Sequence, residues 1–278
     1  RYDTSLYAPR IRFGRLHPLT QIMNEIREIF LSMGFSEIEY EYIQPNFWNM
    51  DVLFVPQDHP ARDVHDTFYI KGRTKIDENL AKIVKAIQEN GGDTGSDGWC
   101  SQWSIAEAEK TVLRTHTTVN TIRYLSEHGN EDRIKVFSIG KCFRREAIDA
   151  THLPEFYQIE GIVSEENANF DMLVGILKEF YKRIGFSRIR IVPSYFPFTE
   201  PSLEVIVEHN GRELEMGGAG IFRPEVVAPF GIKHNVLAWG LGLERLAMLR
   251  LKITDIRKLY MSDIDWLNTY FLERRYVK

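Results

Sequence analysis

Strand-like segments separated by stretches of very unequal length constrain the fold of this chain more than any other feature. The segments are "SEIEYEYI", "IKVFSIGKCF", "FYQIEGIVS", "SRIRIVP" and "LEVIVEHNGRELEM". Parallel strands need a long crossover, usually a helix, and so give a regular alternation of strand and helix. That alternation is absent from the sequence. We therefore predict an α+β fold with a mostly antiparallel sheet flanked by helices.

Two amphipathic helices are predicted beside these strands. From Pro18, apolar residues recur at helical spacing as far as Met33, and Gly34 suits the C-terminal cap. A second helix is predicted to start at an Asp171 N-cap and to end at Gly185. Both helices end in Gly-Phe-Ser and run into a strand, so we expect both to pack on the sheet.

The length and composition indicate one large core. The chain has 278 residues, of which 44% are hydrophobic, and a chain of this size can bury one core, with or without a small appendage. We predict a single domain over residues 1–278 with a helix–loop insertion around residues 75–103. In that region the charged segment "DENLAKIVKAIQEN" precedes "GGDTGSDG", whose composition is typical of a surface loop.

Charge and cysteine content exclude several classes of protein. The formal net charge of -4 at pH 7 gives no general attraction to a nucleic-acid backbone, so any such contact must be local or supplied by a partner. Cys100 and Cys142 are too few for a disulfide framework and suit a reducing compartment. Neither a signal peptide nor a membrane-spanning run is recognisable. We expect a soluble, cytoplasmic protein with no membrane partner.

The segment "FYQIEGIV" carries polar residues where a buried strand would be apolar. Side chains alternate across a strand, so Phe156, Gln158 and Glu160 share one face, and Tyr157 and Ile159 share the other. A buried amide and carboxylate cost free energy unless a polar group meets them, and a substrate ammonium would suit Glu160. The alternative is a solvated face of an antiparallel sheet.

The preceding segment "VFSIGKCFRRE" leads from an apolar strand into charge. Alternation puts Arg144 and Glu146 on one face of its end, where an arginine can bind a phosphate and a glutamate can accept from an exocyclic amine. A loop with His152 then leads to Phe156, which could stack on a base. The arrangement indicates a nucleotide clamp, although Arg-x-Glu alone is more often a surface ion pair.

A third charged segment, "AWGLGLERLAMLRL", places glycines before a helix. Arg245 lies in the first helical turn, where its guanidinium can cover the opposite face of a base or reach a phosphate. The alternative is that Gly240 and Gly242 serve tight packing of the helix on the sheet.

These segments together resemble a known family. "FRRE", the stretch to "EFYQIEG", and "GLGLER" resemble the second and third signature motifs of class II aminoacyl-tRNA synthetases. "LRTHTT", "DATHLPEFYQIEG", "YFPFTEPS" and "GGAGIFRPEV" are similar to the catalytic core of phenylalanyl-tRNA synthetase alpha subunits of the archaeal and eukaryotic branch. The resemblance implies the class II catalytic fold.

The resemblance also implies residues for ATP binding. Arg144 would bind the α-phosphate, Glu146 the adenine amine, and His152 the outer phosphates. Phe156 and Arg245 would cover the two faces of adenine. Of these residues, Arg144, Arg245 and His152 would be catalytic.

Further residues would hold the amino acid and the metal ion. The substrate's backbone groups would be bound by His116, Thr118, Gln158 and Glu160. Phe196 and Phe198 would flank its ring, and Ala238 would close the pocket floor. Glu215 is the candidate Mg²⁺ ligand, and an exposed strand acid is the alternative interpretation of that residue.

The implied activity is activation of phenylalanine with ATP and Mg²⁺ to phenylalanyl-adenylate, followed by transfer to the 2′-hydroxyl of the terminal adenosine of tRNA(Phe). The implied assembly is an (αβ)₂ heterotetramer with a beta subunit. Binding of tRNA would depend on that subunit and on an N-terminal extension that this sequence does not include.

Three other functions are alternatives for this sequence. A metal hydrolase built on His59, Asp63, His65 and Asp66 lacks a second ligand cluster of matching spacing. A ligase for another amino acid, such as phosphoserine, would need cationic or hydroxyl donors that the predicted ring pocket does not supply. An inactive amino-acid sensor would have no use for the residues of an ATP clamp.

Overall fold

A computed structural model describes residues 14–63, 66–209 and 212–270 of the chain. The helices are α1 (Pro18–Ser32), α2 (Glu78–Asn90), α3 (Ile105–Ala108), α4 (Thr118–His128), α5 (Phe170–Ile184), α6 (Pro224–Val227), α7 (Leu243–Leu251), α8 (Lys258–Met261) and α9 (Ile264–Thr269). The strands are β1 (Ser36–Glu37), β2 (Ile43–Pro45), β3 (Tyr69–Arg73), β4 (Lys110–Leu113), β5 (Arg133–Phe143), β6 (Glu155–Glu165), β7 (Ile189–Phe196), β8 (Thr199–His209), β9 (Arg212–Phe222) and β10 (Val236–Gly242).

The main sheet has seven strands in the order β1-β5-β6-β10-β9-β8-β7. The short β1 pairs with β5 in parallel, and the other neighbouring strands are antiparallel. Strands β2, β4 and β3 form a separate antiparallel sheet. The predicted α+β fold with a mostly antiparallel sheet is confirmed.

Helices α1, α5 and α7 cover one face of the main sheet. Buried residues of α1 and α5 pack there with Ile159 of β6 and Trp239 of β10 in one apolar core. Phe30 lies at the centre of this core, with its ring stacked on Phe137 at 5.0 Å and on Phe180 at 4.9 Å between centroids. The apolar stripes of both predicted helices therefore face the sheet.

The opposite face of the sheet carries a second apolar core and a cleft. Ile162 and Ala238 extend from the sheet into this core, where they meet residues of α2, α4 and a π-helical turn, Phe47–Asp51. Strand β4 of the small sheet leads directly into residues 114–118 and α4. This connection brings the "THTT" segment to the same face as Glu160.

Two segments predicted as single strands are divided in the structure. In "SEIEYEYI", the first two residues pair with β5, whereas Ile43 starts β2 of the small sheet. "LEVIVEHNGRELEM" forms parts of β8 and β9, which pair antiparallel. The sequence Asn-Gly between them favours a tight hairpin turn, and residues 210–211 themselves lie outside the described residues.

Three local expectations also differ from the structure. Strand β5 ends at Phe143, so Arg144 and Glu146 follow it in a loop rather than on the strand. Asn169, not Asp171, is the N-cap of α5, because its side chain accepts from the Met172 backbone N–H at 3.0 Å. The segment around "AWGLG" forms β10, a strand inside the main sheet that the glycine-rich sequence did not predict.

Residues 75–103 pack on the second core through a buried polar network. Asp51, which is 1% exposed, accepts from Trp103 Nε1 at 2.6 Å and from Gln57 Nε2 at 2.9 Å. It also forms an ion pair with Arg62 at 3.2 Å. Gln88 of α2 donates to the Asp51 backbone carbonyl at 2.7 Å. The network fixes the π-helical turn against α2. That these residues are an insertion in a single domain stays a prediction.

Within the three described ranges, none of the helices is both long and apolar enough to cross a bilayer.

We predict that Asp51→Ala lowers the free energy of unfolding by about 3 to 5 kcal/mol, because it leaves the buried Arg62 guanidinium without a counter-charge. The change is measured by urea denaturation. The matched control is Glu179→Ala, which breaks the Glu179–Arg183 pair on the surface of α5 and should cost no more than about 1 kcal/mol. Equal losses in the two variants would contradict the assigned role of the Asp51 network.

Candidate active site

The residues predicted to form the site lie around one cleft of about 490 Å³ on the sheet face opposite α1 and α5. They are His116, Thr118, Arg144, Glu146, His152, Phe156, Gln158, Glu160, Phe196, Phe198, Glu215, Ala238 and Arg245. These residues come from β6, β7, β9 and β10, from the start of α4 and α7, and from the segments that follow β4, β5 and β7. The sequence therefore predicted which side chains come together, while their roles remain predictions.

The polar face of β6 forms the floor of the cleft. Gln158 Nε2 donates to Glu160 Oε2 at 2.9 Å, and Glu160 is 2% exposed. On the neighbouring strand, a Cβ atom at Gly240 would lie 2.4 Å from Gln158 Nε2 and 2.9 Å from Glu160 Oε2. Glycine at this position therefore gives the two polar side chains their space.

Burial changes the acidity of Glu160. Removal from water raises the pKa of its carboxyl group to about 8, although hydrogen bonds from Thr118 and Gln158 favour the charged form. No cationic group pairs with Glu160 among the described residues. A cation that enters the cleft would meet a carboxylate made basic by its surroundings.

The loop carrying His116 is held by Asn49 of the π-helical turn. The Asn49 side chain accepts from Thr115 N at 3.0 Å and donates to Thr115 Oγ1 at 3.2 Å. The Asn49 backbone carbonyl lies 2.9 Å from His116 Nε2, so this ring nitrogen is the donor. Nδ1 is then an acceptor, and it is buried without a partner among the described residues.

Burial, with a contribution from the Arg144 charge, lowers the pKa of His116 to about 4. The imidazole is therefore neutral at physiological pH. His116 lines the cleft, and its Nδ1 lone pair can accept a hydrogen bond from a ligand donor that reaches it.

Arg144 and Phe156 contact each other where they line the cleft. The Arg144 guanidinium carbon is 5.1 Å from the centroid of the Phe156 ring, and its Nε donates to the Thr115 carbonyl at 3.1 Å. Glu146 Oε1 is 4.0 Å from Arg144 Nη1. The remaining guanidinium N–H groups can point into the cleft, toward an anion.

Arg245 lies on the opposite side, in the first turn of α7. Its Nη1 donates to the Glu215 backbone carbonyl at 2.9 Å and is 3.7 Å from Glu215 Oε2. The side chains of both residues are about half exposed. Arg245 and Glu215 are therefore paired at the rim, where the cleft meets solvent.

His152 lies at the rim, in the loop between β5 and β6. Its Nδ1 is 3.0 Å from Asp149 Oδ2, and both side chains are about half exposed. Hydrogen bonds from His152 and from Thr151 hold the pKa of Asp149 well below its ordinary value. The pair leaves His152 Nε2 available to a ligand that extends from the cleft.

An apolar slot adjoins the floor. The rings of Phe196 and Phe198 are stacked with centroids 5.9 Å apart and an angle of 18° between their planes. A Cβ atom at Gly218 would lie 2.3 Å from Phe196 Cζ, so glycine on β9 admits this ring. Ala238 of β10 is 4% exposed and lines the same part of the cleft. The slot suits a flat apolar group.

Buried polar residues that support the site were missed from the sequence. Arg114 is fully buried, and its guanidinium donates to the backbone carbonyls of Lys141 at 2.7 Å and Tyr40 at 2.9 Å. Asn120 accepts from Arg114 at 3.0 Å and donates to Ser138 at 2.7 Å. The available signal was the presence of charged and amide side chains beside apolar residues in "VLRTHTTVNTI".

Those of the residues considered for a metal hydrolase that the structure describes do not form a metal centre. Within the described ranges, no group of three or more His, Cys, Asp or Glu side chains is arranged to hold a metal ion. His65, one of the residues considered, lies outside the described residues. His59 Nδ1 instead accepts from the backbone N–H of Ala61 at 3.1 Å.

Comparisons with known proteins agree with the fold and with the motifs. Three similar proteins are phenylalanine–tRNA ligase alpha subunits. That of Archaeoglobus fulgidus is 50% identical over 99% of this chain and 58% of its own length. That of Methanococcus maripaludis is 54% identical over 96% of this chain and 55% of its own length. That of Thermoplasma volcanium is 52% identical over 97% of this chain and 56% of its own length.

The chain thus spans little more than half the length of these relatives. The sequence identity of these relatives confirms the predicted resemblance to phenylalanyl-tRNA synthetase alpha subunits. Residues 1–270 match the family described as "tRNA synthetases class II core domain (F)". Because this match covers nearly the whole chain, the chain belongs to the family of class II tRNA synthetase core domains.

Proposed function

We propose that the chain is the catalytic core of a phenylalanine–tRNA ligase alpha subunit. It activates phenylalanine with ATP to phenylalanyl-adenylate and transfers the phenylalanyl group to the 2′-hydroxyl of the terminal adenosine of tRNA(Phe). The observation that carries this proposal is the combination, in one cleft, of a buried carboxylate, an arginine–aromatic pair and an apolar aromatic slot. The names of the similar proteins support it.

Phenylalanine binds with its ammonium group at the floor of the cleft. Glu160 supplies the negative charge, and His116 Nδ1 supplies an acceptor that lacks a partner among the described residues. Gln158 and Thr118 complete the polar contacts. The ring packs in the slot against Phe196, Phe198 and Ala238, where van der Waals contact and desolvation favour an unsubstituted aromatic ring.

ATP binds at the other side of the cleft. Adenine lies between Phe156 and Arg245, with its exocyclic amine toward Glu146. Arg144 binds the α-phosphate, and His152 at the rim reaches the outer phosphates. Arg245 then exchanges its contact with Glu215 for the base, and the released Glu215 carboxylate becomes available to Mg²⁺, which when bound offsets the negative charge of the phosphates.

Activation requires no nucleophile from the protein. A carboxylate oxygen of phenylalanine attacks the α-phosphorus in line, and the bond from that phosphorus to the bridging oxygen breaks as pyrophosphate leaves. Arg144 stabilises negative charge on the α-phosphate oxygens in the transition state. Glu160 and His116 fix the ammonium group of phenylalanine and so hold its carboxylate in position. This lowers the entropic cost of the reaction.

Several partners are part of the proposal. Mg²⁺, ATP, phenylalanine and tRNA(Phe) are its ligands, and a beta subunit completes an (αβ)₂ assembly in the cytoplasm. The printed name "alpha subunit" of the relatives supports a second subunit. The net charge of -4 fits a core that binds tRNA with help from other parts of the enzyme.

The direct test is ATP–pyrophosphate exchange with each of the twenty amino acids, by the full-length protein with its partner subunit. We expect exchange with phenylalanine and weak exchange with tyrosine. Exchange with a different amino acid would support a ligase of other specificity. Absence of exchange with all twenty would support a sensor and would contradict the proposal.

We predict that Arg144→Ala lowers the rate of phenylalanine-dependent exchange by roughly a hundredfold to a thousandfold, since loss of such a contact costs about 3 to 4 kcal/mol in the transition state. Circular dichroism should show an intact fold. Arg190→Ala removes an exposed arginine that pairs with Glu213 away from the cleft and should change the rate by less than about twofold. An Arg144→Ala rate within threefold of the parent would exclude this role.

We predict that phenylalanine binding releases a proton from Glu160. Because the pKa of this carboxyl is about 8 in the free protein, it is mostly protonated at pH 6.5 and must ionise when it receives an ammonium group. The apparent dissociation constant should therefore fall as the pH rises toward 8. His116, whose pKa is about 4, stays neutral throughout this range.

The measurement is calorimetry of phenylalanine binding at pH 6.5 in buffers of different ionisation enthalpy, with release of about one proton expected. Glu160→Gln should bind more weakly and without proton release. Proton-independent binding by the parent protein would show that the ammonium group does not meet Glu160.

We predict that Ala238→Gly admits para-chlorophenylalanine, because removal of one methyl group opens the floor of the ring slot. The gain in exchange with this analogue should be at least roughly tenfold, and exchange with phenylalanine should change little. Ala168→Gly, at a buried site in the core on the other face of the sheet, should give no gain. If Ala238→Gly keeps its activity on phenylalanine but gains none on the analogue, Ala238 is not the floor.

A further inference from the structure

Glu244 is a buried carboxylate at the wall of the cleft that the proposed reaction does not use. It is 3% exposed and lies in the first turn of α7. Its Oε1 accepts the backbone N–H of Tyr157 at 2.7 Å and the hydroxyl of Tyr260. A buried acid costs free energy unless its hydrogen bonds compensate, so both donors matter to its geometry.

The hydrogen bond from Tyr157 N–H to Glu244 takes the place of a backbone hydrogen bond between β6 and β10. Gln158 is the most N-terminal residue of β6 that pairs with β10, and its partner is Gly242. After Gly242 the chain turns into α7, so β10 does not continue to a residue opposite Tyr157. The Glu244 carboxylate takes that N–H and thereby ties the first turn of the helix to β6.

The hydrogen bond between Tyr157 and Glu244 connects β6 and α7, which carry the two sides of the proposed adenine site. Tyr157 is the neighbour of Phe156 on β6, and Glu244 is the neighbour of Arg245 on α7. Gly242, the N-cap of α7, has no side chain with which to cap the helix. The distance between Phe156 and Arg245 therefore depends on the contact from Glu244 to the Tyr157 N–H.

Tyr260 approaches Glu244 from the segment that follows α7. Its hydroxyl shares Oε1 of Glu244 with the Tyr157 N–H, so it limits the rotation of the carboxylate. The same segment also contacts the loop between β5 and β6, because Ile256 N donates to the Ala150 carbonyl at 2.8 Å. Residues 253–261 thus touch both elements that border the nucleotide side of the cleft.

We propose that Tyr260 is a positioning residue for ATP, which acts by orienting the Glu244 carboxylate so that α7 keeps Arg245 at the right distance from Phe156 for an adenine ring. The inference rests on the proposed function, since it assumes that ATP binds in this cleft. Tyr260 itself does not contact the nucleotide.

The test compares Tyr260→Phe with Tyr270→Phe in the full-length enzyme with its partner subunit. Both substitutions remove one phenolic hydroxyl; that of Tyr270 donates to the carbonyl of Leu16, which precedes α1, at 2.7 Å. For Tyr260→Phe we expect the KM and the dissociation constant of ATP to rise about fivefold to tenfold. The kcat of exchange and the KM of phenylalanine should stay within about twofold, and Tyr270→Phe should leave all of these values within that range.

A second pair of variants tests the carboxylate itself. Glu244→Gln keeps an oxygen that can accept from Tyr157 and Tyr260, whereas Glu244→Ala removes it. We expect ATP affinity to fall more in Glu244→Ala than in Glu244→Gln. Equal losses in these two variants would contradict a role for the accepting oxygen.

The outcomes separate this inference from the proposed function. Unchanged ATP affinity in Tyr260→Phe, or an equal rise in the KM of phenylalanine, would overturn the positioning role while the parent enzyme remains active. If the parent binds ATP but supports no exchange, the proposed function fails and the ATP dissociation constants still test the role of Tyr260. If the parent does not bind ATP, both fail.

Discussion

Gln158 and Glu160 lie over Gly240 of the neighbouring strand, where a Cβ atom would approach the Gln158 amide nitrogen to 2.4 Å. This absence of a side chain allows an amide and a carboxylate to occupy the inner part of the sheet, on the face that also carries the apolar residues Ile162 and Ala238. The carboxylate is then far from water, and the pKa of Glu160 rises to about 8. A cation bound to this carboxylate would offset part of the free energy lost by burying the acid.

The polar groups around Glu160 are held before any ligand arrives. Asn49 fixes His116 with Nδ1 as an acceptor, and the Asp51 network fixes Asn49 two residues away. On the other side, Glu244 links the helix of Arg245 to the strand of Phe156. Stability and function are therefore coupled, because the buried hydrogen bonds that stabilise the core also set the positions of the groups that face the cleft.

The sequence predicts the positions of residues that follow the periodicity of a strand or a helix. It does not predict hydrogen bonds between residues that are far apart in the chain. Strand alternation placed Gln158 and Glu160 on one face, and helical spacing gave both sheet-packing helices. The prediction of Asp171 as the N-cap of α5 was wrong, because Asn169 offers a capping side chain two residues earlier and takes that position. Arg114 and Glu244 each form a hydrogen bond with a backbone group more than seventy residues away, which no local sequence pattern indicates.

The central claim is that the β6 face binds an ammonium group while the Phe156–Arg245 side binds adenine. A crystal structure of the enzyme with a non-hydrolysable phenylalanyl-adenylate analogue tests it most directly. The account predicts the ammonium nitrogen within hydrogen-bonding distance of Glu160 and of His116 Nδ1, about 3 Å, with adenine between Phe156 and Arg245. An ammonium group turned away from Glu160, or adenine bound outside the Phe156–Arg245 side, would contradict it.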